Sequence, residues 1–102
     1  MTLPSKKLAS IVLEDEVISI DKYDNDVYFV FSNQSKFGVN IYEFANLVKE
    51  YMCDNKIAII KSGKNAKDGW FAESLLAGVI SADTEPEAII KIAERILNET
   101  QD

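Results

Sequence analysis

Apolar residues recur at intervals of three and four in two segments of the chain, which is the spacing of one face of an α-helix. The first segment, 41–53, follows Asn40, a residue suited to the cap position. The second, 85–99, follows Thr84, whose hydroxyl can accept from the N–H of Glu87. The two apolar stripes consist of Ile41, Phe44, Ala45, Val48 and Met52, and of Ile89, Ile92, Ala93, Ile96 and Leu97.

Shorter apolar segments predict strands. Residues 17–23 alternate, with Ile18 and Ile20 on the face expected to be buried, and residues 27–32 are rich in β-branched and aromatic side chains. The intervening Asp24-Asn25-Asp26 has the composition of a turn, so these two segments are expected to form a hairpin. Further strands are predicted at 8–13, at 36–39 on a sheet edge, and at 57–60, with 62–69 as the longest loop.

Residues 70–82 fit two alternatives. One is a helix capped by Asp68, but it would contain Gly78 near its middle and would leave two residues before the next helix. The other is a strand, a turn near Gly78 and a second strand. Both alternatives give an α+β fold, most simply a two-layer sandwich in which an antiparallel sheet carries the helices 41–53 and 85–99 on one face. Residues 1–7 are expected to form a flexible tail and residues 8–102 a single domain.

Composition excludes several classes of function. The chain has 102 residues, of which 47% are hydrophobic and 27% charged, as in ordinary globular domains. It contains no histidine and one cysteine, Cys53, which is expected to fill a small space in the core. The absence of histidine excludes catalysis that depends on it, and the single cysteine excludes a cysteine-rich zinc site. We therefore expect no enzymatic activity, cofactor or metal. No apolar run is long enough for a membrane span or a secretion signal, so a cytoplasmic location is expected.

Charge is segregated along the chain, whose net charge is −6. Residues 14–26 contain six acids and one lysine, whereas residues 56–67 contain four lysines and no acid. An acidic protein is disfavoured as a nucleic-acid binder but docks rapidly on a basic partner. Tyr28 and one of the pair Trp70 and Phe71 are expected to face outward, and the other aromatics, including Tyr23, to lie in the core. Candidate partner contacts are Glu14, Asp15, Glu16, Asp21, Asp24, Asp26, Lys61, Lys64, Lys67 and Trp70.

One motif runs through residues 57–97. It consists of Trp70-Phe71-Ala72-Glu73, Gly78, Val79-Ile80-Ser81-Ala82 and Thr84-Glu85-Pro86-Glu87-Ala88-Ile89. This part of the chain resembles the N-terminal half of HicB-type antitoxins, and similar endings occur in small accessory proteins of bacteriophages. The resemblance implies that residues 70–82 form a hairpin ahead of a helix. It also implies that the protein works by binding another protein.

These features predict a small acidic protein-interaction module, such as an inhibitor, antitoxin or immunity-like protein of bacterial or phage type. A second hypothesis is a small-ligand-binding domain or an enzyme that uses lysine and carboxylate groups. It requires a pocket in which polar groups from among Lys61, Lys64, Glu73 and Tyr42 converge. Self-association through a sheet edge near residues 36–39 is a third hypothesis.

Overall fold

The computed structural model describes residues 3–67 and 69–100. Within these residues the chain forms three α-helices and six β-strands. In order they are α1 (Lys6–Leu13), β1 (Val17–Tyr23), β2 (Asp26–Phe31), β3 (Lys36–Asn40), α2 (Ile41–Asp54), β4 (Lys61–Lys64), β5 (Trp70–Ser74), β6 (Gly78–Ala82) and α3 (Glu85–Thr100).

The six strands form two separate antiparallel sheets, with the orders β1-β2-β3 and β4-β5-β6. In the first sheet, β1 packs on α1 and β3 packs on α2, whereas all three strands of the second sheet pack on α3. Because α2 and α3 also pack on each other, the helices connect the two sheets. The predicted α+β class is confirmed, with two sheets in place of the single predicted one and a third helix.

The buried apolar side chains form one cluster to which all three helices and strands of both sheets contribute. In this cluster Phe29 of β2 is fully buried, and its ring centroid lies 5.1 Å from that of Phe44 on α2. The two predicted helices begin as expected. Asn40 Oδ1 accepts from the N–H of Tyr42 at 2.9 Å, and Thr84 Oγ1 accepts from the N–H of Glu87 at 3.3 Å. Each cap satisfies a backbone donor that a helix start leaves without a partner within the helix.

Residues 8–13 belong to a helix, so the predicted first strand is wrong. The Ser5 hydroxyl caps α1 by accepting from the N–H of Leu8 at 3.0 Å. The same hydroxyl donates to Glu94 Oε1 on α3 at 2.7 Å, which fastens the start of α1 to the third helix. The cap and the first turn, Lys6 and Lys7, come from the segment that the sequence assigns to a tail.

The strand predicted at residues 57–60 is also wrong, because the first two of these residues complete the end of α2 and β4 begins only at Lys61. The N–H groups of Ile57 and Ala58 both donate to the carbonyl of Met52, at 2.8 and 3.2 Å. The residue that turns the chain here is Lys56, which has a left-handed backbone with φ 56°. The strand therefore starts later and occupies the first part of the predicted loop at 62–69, of which Asp68 lies outside the described residues.

Residues 70–82 form the strand-turn-strand alternative, and the helical alternative is wrong. The turn spans residues 75–77 and is followed by Gly78 with φ 76°, a conformation that glycine adopts without steric cost. Arg95 on α3 donates from Nη1 to the carbonyl of Ala77 at 3.0 Å, which holds this turn against the helix. Asp68, the cap that the helical alternative requires, lies outside the described residues.

Three single-residue predictions are wrong. The register of β1 shifts between Val17 and Ser19, so Val17 takes the buried position and Ile18 is 41% exposed. Such a bulge turns the following side chain to the other face of the sheet. Cys53 lies beside the buried stripe of α2 and is exposed. Tyr23, expected in the core, is 77% exposed.

Candidate interaction surfaces

The face of the first sheet that is turned away from the helices carries two acids and two tyrosines. Val27 and Phe29 of β2 are buried, so the intervening Tyr28 points outward, as predicted, and is 44% exposed. Across the ladder Tyr28 is opposite Asp21, and Asp26 is opposite Tyr23. Residues opposite each other on one face lie within contact distance. We call these four residues, Asp21, Tyr23, Asp26 and Tyr28, the acid–tyrosine surface.

Tyr28 is positioned by a glycine on the neighbouring strand. Gly38 of β3 is directly opposite Tyr28, and a Cβ atom on Gly38 would lie 2.8 Å from Cδ1 and Cε1 of the tyrosine ring. The ring therefore lies across the glycine, which has no side chain to keep it away. An aromatic ring that covers a glycine on an edge strand supplies the packing that the glycine lacks.

The hairpin that carries the acid–tyrosine surface is fastened to the rest of the molecule. Its turn contains Asp24 in a left-handed conformation, with φ 59°. The next residue, Asn25, accepts at its carbonyl from the N–H of Ile41 at 2.7 Å, which joins the turn to the start of α2. The surface therefore lies on an anchored element and not on a free loop.

The structure divides the predicted acidic segment into two groups. Asp24 is exposed in the turn beside the acid–tyrosine surface, whereas Glu14, Asp15 and Glu16 lie in the connection before β1. Glu16 and Asp21, the nearest members of the two groups along the chain, are five residues apart, which is about 16 Å at 3.3 Å per residue of strand. In that connection Asp15 Oδ1 accepts from the N–H of Glu16 at 2.9 Å, so this carboxylate stabilises the local backbone.

The predicted basic residues do not form one patch. Lys61 and Lys64 are three residues apart on β4, so they point to opposite faces of the second sheet, and Lys67 is exposed in the following loop. Trp70 is opposite Lys64 and shares the helix-facing side of β5 with the buried Ala72. The outward-facing member of the aromatic pair is therefore Phe71. Its ring packs over Gly63, since a Cβ atom added to Gly63 would lie 3.1 Å from Cε1 of the ring.

A groove of about 560 Å³ lies at the end of the second sheet beside the β5–β6 turn. Its apolar rim includes three strongly exposed side chains, namely Leu75 (106%), Ile59 (68%) and Val79 (59%). Lys61 and Glu73 are cross-strand partners and both line the groove, whereas Lys64 and Tyr42 are not among its lining residues. We call this feature the Leu75 groove; its lining residues are Ile59, Lys61, Glu73, Ser74, Leu75, Gly78 and Val79.

Comparison of the chain with known protein families, with curated proteins and with solved structures finds no match. Among the described residues, no group of three or more acidic or cysteine side chains is arranged to hold a metal ion. None of the helices in the described part of the chain is long and apolar enough to cross a membrane. The acid–tyrosine surface and the Leu75 groove are therefore the two candidate binding surfaces of the described residues.

Proposed function

We propose that this protein is a small, acidic, non-enzymatic interaction module that binds a basic protein through the acid–tyrosine surface. The observation that carries the proposal is the meeting of Asp21 and Asp26 with Tyr23 and Tyr28 on one exposed face of an anchored hairpin. Tyrosine is enriched among residues that dominate binding energy, and carboxylates of one sign steer a basic partner into place.

The two kinds of side chain have different roles in such an interface. Tyr23 and Tyr28 offer large contact areas that lose little conformational freedom on binding. Among the described residues no cation lies within ion-pair distance of Asp21 or Asp26, so their charge is available to a partner. The carboxylates are expected to raise the association rate and the tyrosines to slow dissociation.

Two sequence features support a protein partner. The chain is acidic overall, with a net charge of −6, which favours attraction to a basic surface and disfavours nucleic acid. The resemblance of residues 57–97 to HicB-type antitoxins points to the same kind of activity. An inhibitor, antitoxin or immunity-like protein acting in the cytoplasm fits both features.

The test begins with affinity capture from a lysate of cells that contain the protein naturally, at about 50 and 300 mM salt, because salt screens exposed charges. A stoichiometric partner is then purified, and its dissociation constant is measured by titration calorimetry. Tyr28→Ala and the double variant Asp21→Asn/Asp26→Asn are each expected to weaken binding at least about tenfold, which is 1.4 kcal/mol.

The matched control removes the same two charges from the other end of β1. The double variant Glu14→Gln/Asp15→Asn has the same net charge as Asp21→Asn/Asp26→Asn, but its substitutions lie outside the acid–tyrosine surface. It is expected to change the affinity by less than about threefold, since charges beyond a Debye length of about 8 Å act weakly. Equal weakening by both double variants would show that net charge alone drives binding and would refute the proposed surface.

A further inference from the structure

The Leu75 groove combines a protruding side chain with a concave surface beside it. Leu75 is fully exposed at the tip of the β5–β6 turn, and Leu76 next to it is 50% exposed. The groove that adjoins Leu75 is bordered by Ile59 and Val79, which are both more than half exposed. Single exposed apolar residues are ordinary on protein surfaces, but a cluster around a groove marks a binding site.

We propose that the Leu75 groove is the interface of a symmetric dimer, in which Leu75 of each copy inserts into the groove of the other. A two-fold interface requires one patch to be complementary to itself, so the patch must carry both the projecting and the receiving part. Leu75 and the adjoining groove meet this requirement. The proposal is independent of the acid–tyrosine surface, which lies on the other sheet.

The charges in the groove are also complementary to themselves. Lys61 and Glu73 both line it and are opposite each other on the neighbouring strands β4 and β5. A two-fold axis through the patch brings Lys61 of one copy opposite Glu73 of the other and forms both pairs at once. The two groups cancel, so two copies with a net charge of −6 each meet at a locally neutral patch. An acidic or basic partner would find no excess of opposite charge there.

The exposed apolar area limits the size of the dimer interface. The exposures of Ile59, Leu75, Leu76 and Val79 together equal nearly three fully exposed side chains. At about 60–120 Å² per side chain, this is roughly 170–340 Å² of apolar surface per copy. A standard interface buries about 800 Å² per partner, so this patch is smaller than that of a tight complex and we expect a weak dimer that forms only at high protein concentration.

The experiment is sedimentation equilibrium of the full chain from about 5 to 500 µM, a range across which mass action reveals a weak dimer. The unmodified protein is expected to change from monomer to dimer across it. Leu75→Asp is expected to weaken the dimer at least about tenfold, because it places a charge in the apolar contact. Ile18→Asp, which introduces the same charge at an exposed isoleucine of the first sheet, is expected to leave the dimer unchanged.

A charge exchange tests the two-fold arrangement. Lys61→Glu and Glu73→Lys are each expected to weaken the dimer, and the double variant Lys61→Glu/Glu73→Lys is expected to restore it, because opposite charges face each other again. Circular dichroism checks that each variant is folded. A monomer at every concentration, dimerisation of Leu75→Asp like that of the unmodified chain, or failure of the double exchange to restore the dimer would each overturn the proposal.

Discussion

Replacing Gly38 with alanine is expected to displace the Tyr28 ring while leaving the first sheet folded. The new methyl group would lie 2.8 Å from two ring atoms, which is closer than carbon atoms pack. The ring belongs to a partly exposed side chain, so it can rotate toward solvent, whereas the backbone of β3 is held in its ladder with β2. The substitution therefore changes the acid–tyrosine surface without changing any of its four residues.

Two opposing terms determine the effect of Gly38→Ala on stability. Moving the ring off its preferred position costs about 0.5–1.5 kcal/mol. Alanine lowers the conformational entropy of the unfolded chain, which stabilises the folded state by about 0.4–1 kcal/mol where the native backbone tolerates alanine. The backbone of Gly38 is compatible with alanine, since Gly78 is the only described glycine with a positive φ. The free energy of unfolding is therefore expected to stay within about 1 kcal/mol of the unmodified value.

The assay pairs urea unfolding with the affinity for the captured partner. Gly38→Ala is expected to weaken binding about tenfold because Tyr28 no longer presents the same contact. Gly63→Ala is the matched control, since it crowds the Phe71 ring on the second sheet in the same way, at 3.1 Å, and should leave this binding unchanged. If Gly38→Ala binds the partner with normal affinity while Tyr28→Ala binds it weakly, the methyl group does not displace the ring, and the prediction is refuted. A loss of stability above about 2 kcal/mol would show instead that the ring cannot move aside.

Three further substitutions test how the ends of α1 and α2 are stabilised. Asn40→Ala removes the cap that accepts from Tyr42 and is expected to lower the free energy of unfolding by about 1 kcal/mol in a urea titration. Glu94→Gln removes the charge that accepts from Ser5, and is expected to cost about 1 kcal/mol and to speed amide hydrogen exchange in α1 more than in α2. Lys56→Gly relieves the strain of a left-handed backbone, with φ 56°. It is expected to raise the free energy of unfolding by about 0.5–1 kcal/mol, and with it the melting temperature. An unchanged melting temperature would mean that this conformation carries no strain.

The elements that the sequence predicts correctly are those whose local signals agree with their packing. Both long helices combine a cap with an apolar stripe, and the first hairpin combines alternation with turn residues, so their neighbours add to a preference that is already present. The strand at 36–39 follows the same rule. The local pattern of residues 70–82 fits both a helix and a hairpin, and the structure shows the hairpin.

The elements that the sequence misses depend on distant contacts. The eight residues of α1 are too few to form a helix alone, and the helix is fastened by Ser5 to Glu94, 89 positions along the chain. The start of β4 is decided by Met52, whose carbonyl takes two N–H groups that a strand at 57–60 would need. Neither contact leaves a pattern in the local sequence.

The candidate surfaces were predictable as residue types but not as groupings. The sequence identifies Asp21 and Asp26 as acidic contacts and Tyr28 as an outward-facing aromatic. It does not place them together, because a shift of one residue in register would move Tyr28 to the opposite face. The bulge after Val17 is the kind of irregularity that sets this register. The two consecutive leucines at 75 and 76, in a turn where polar residues are usual, are the signal that would have indicated the Leu75 groove.

The two sheets stabilise their outer faces by the same means and yet present different surfaces. In each sheet an aromatic ring on the central strand covers a glycine on an edge strand, Tyr28 over Gly38 and Phe71 over Gly63. This packing supports a three-stranded sheet that has helices on one face only. Beside Tyr28 this face carries the carboxylates of Asp21 and Asp26, which stay hydrated until a basic partner arrives. Near Phe71 the sheet ends in exposed Leu75 and Val79, whose burial is favourable without any net charge on the partner. The two sheets therefore share the packing of a ring on a glycine, but one presents carboxylates and the other apolar side chains. This difference favours two separate binding roles, one for each sheet.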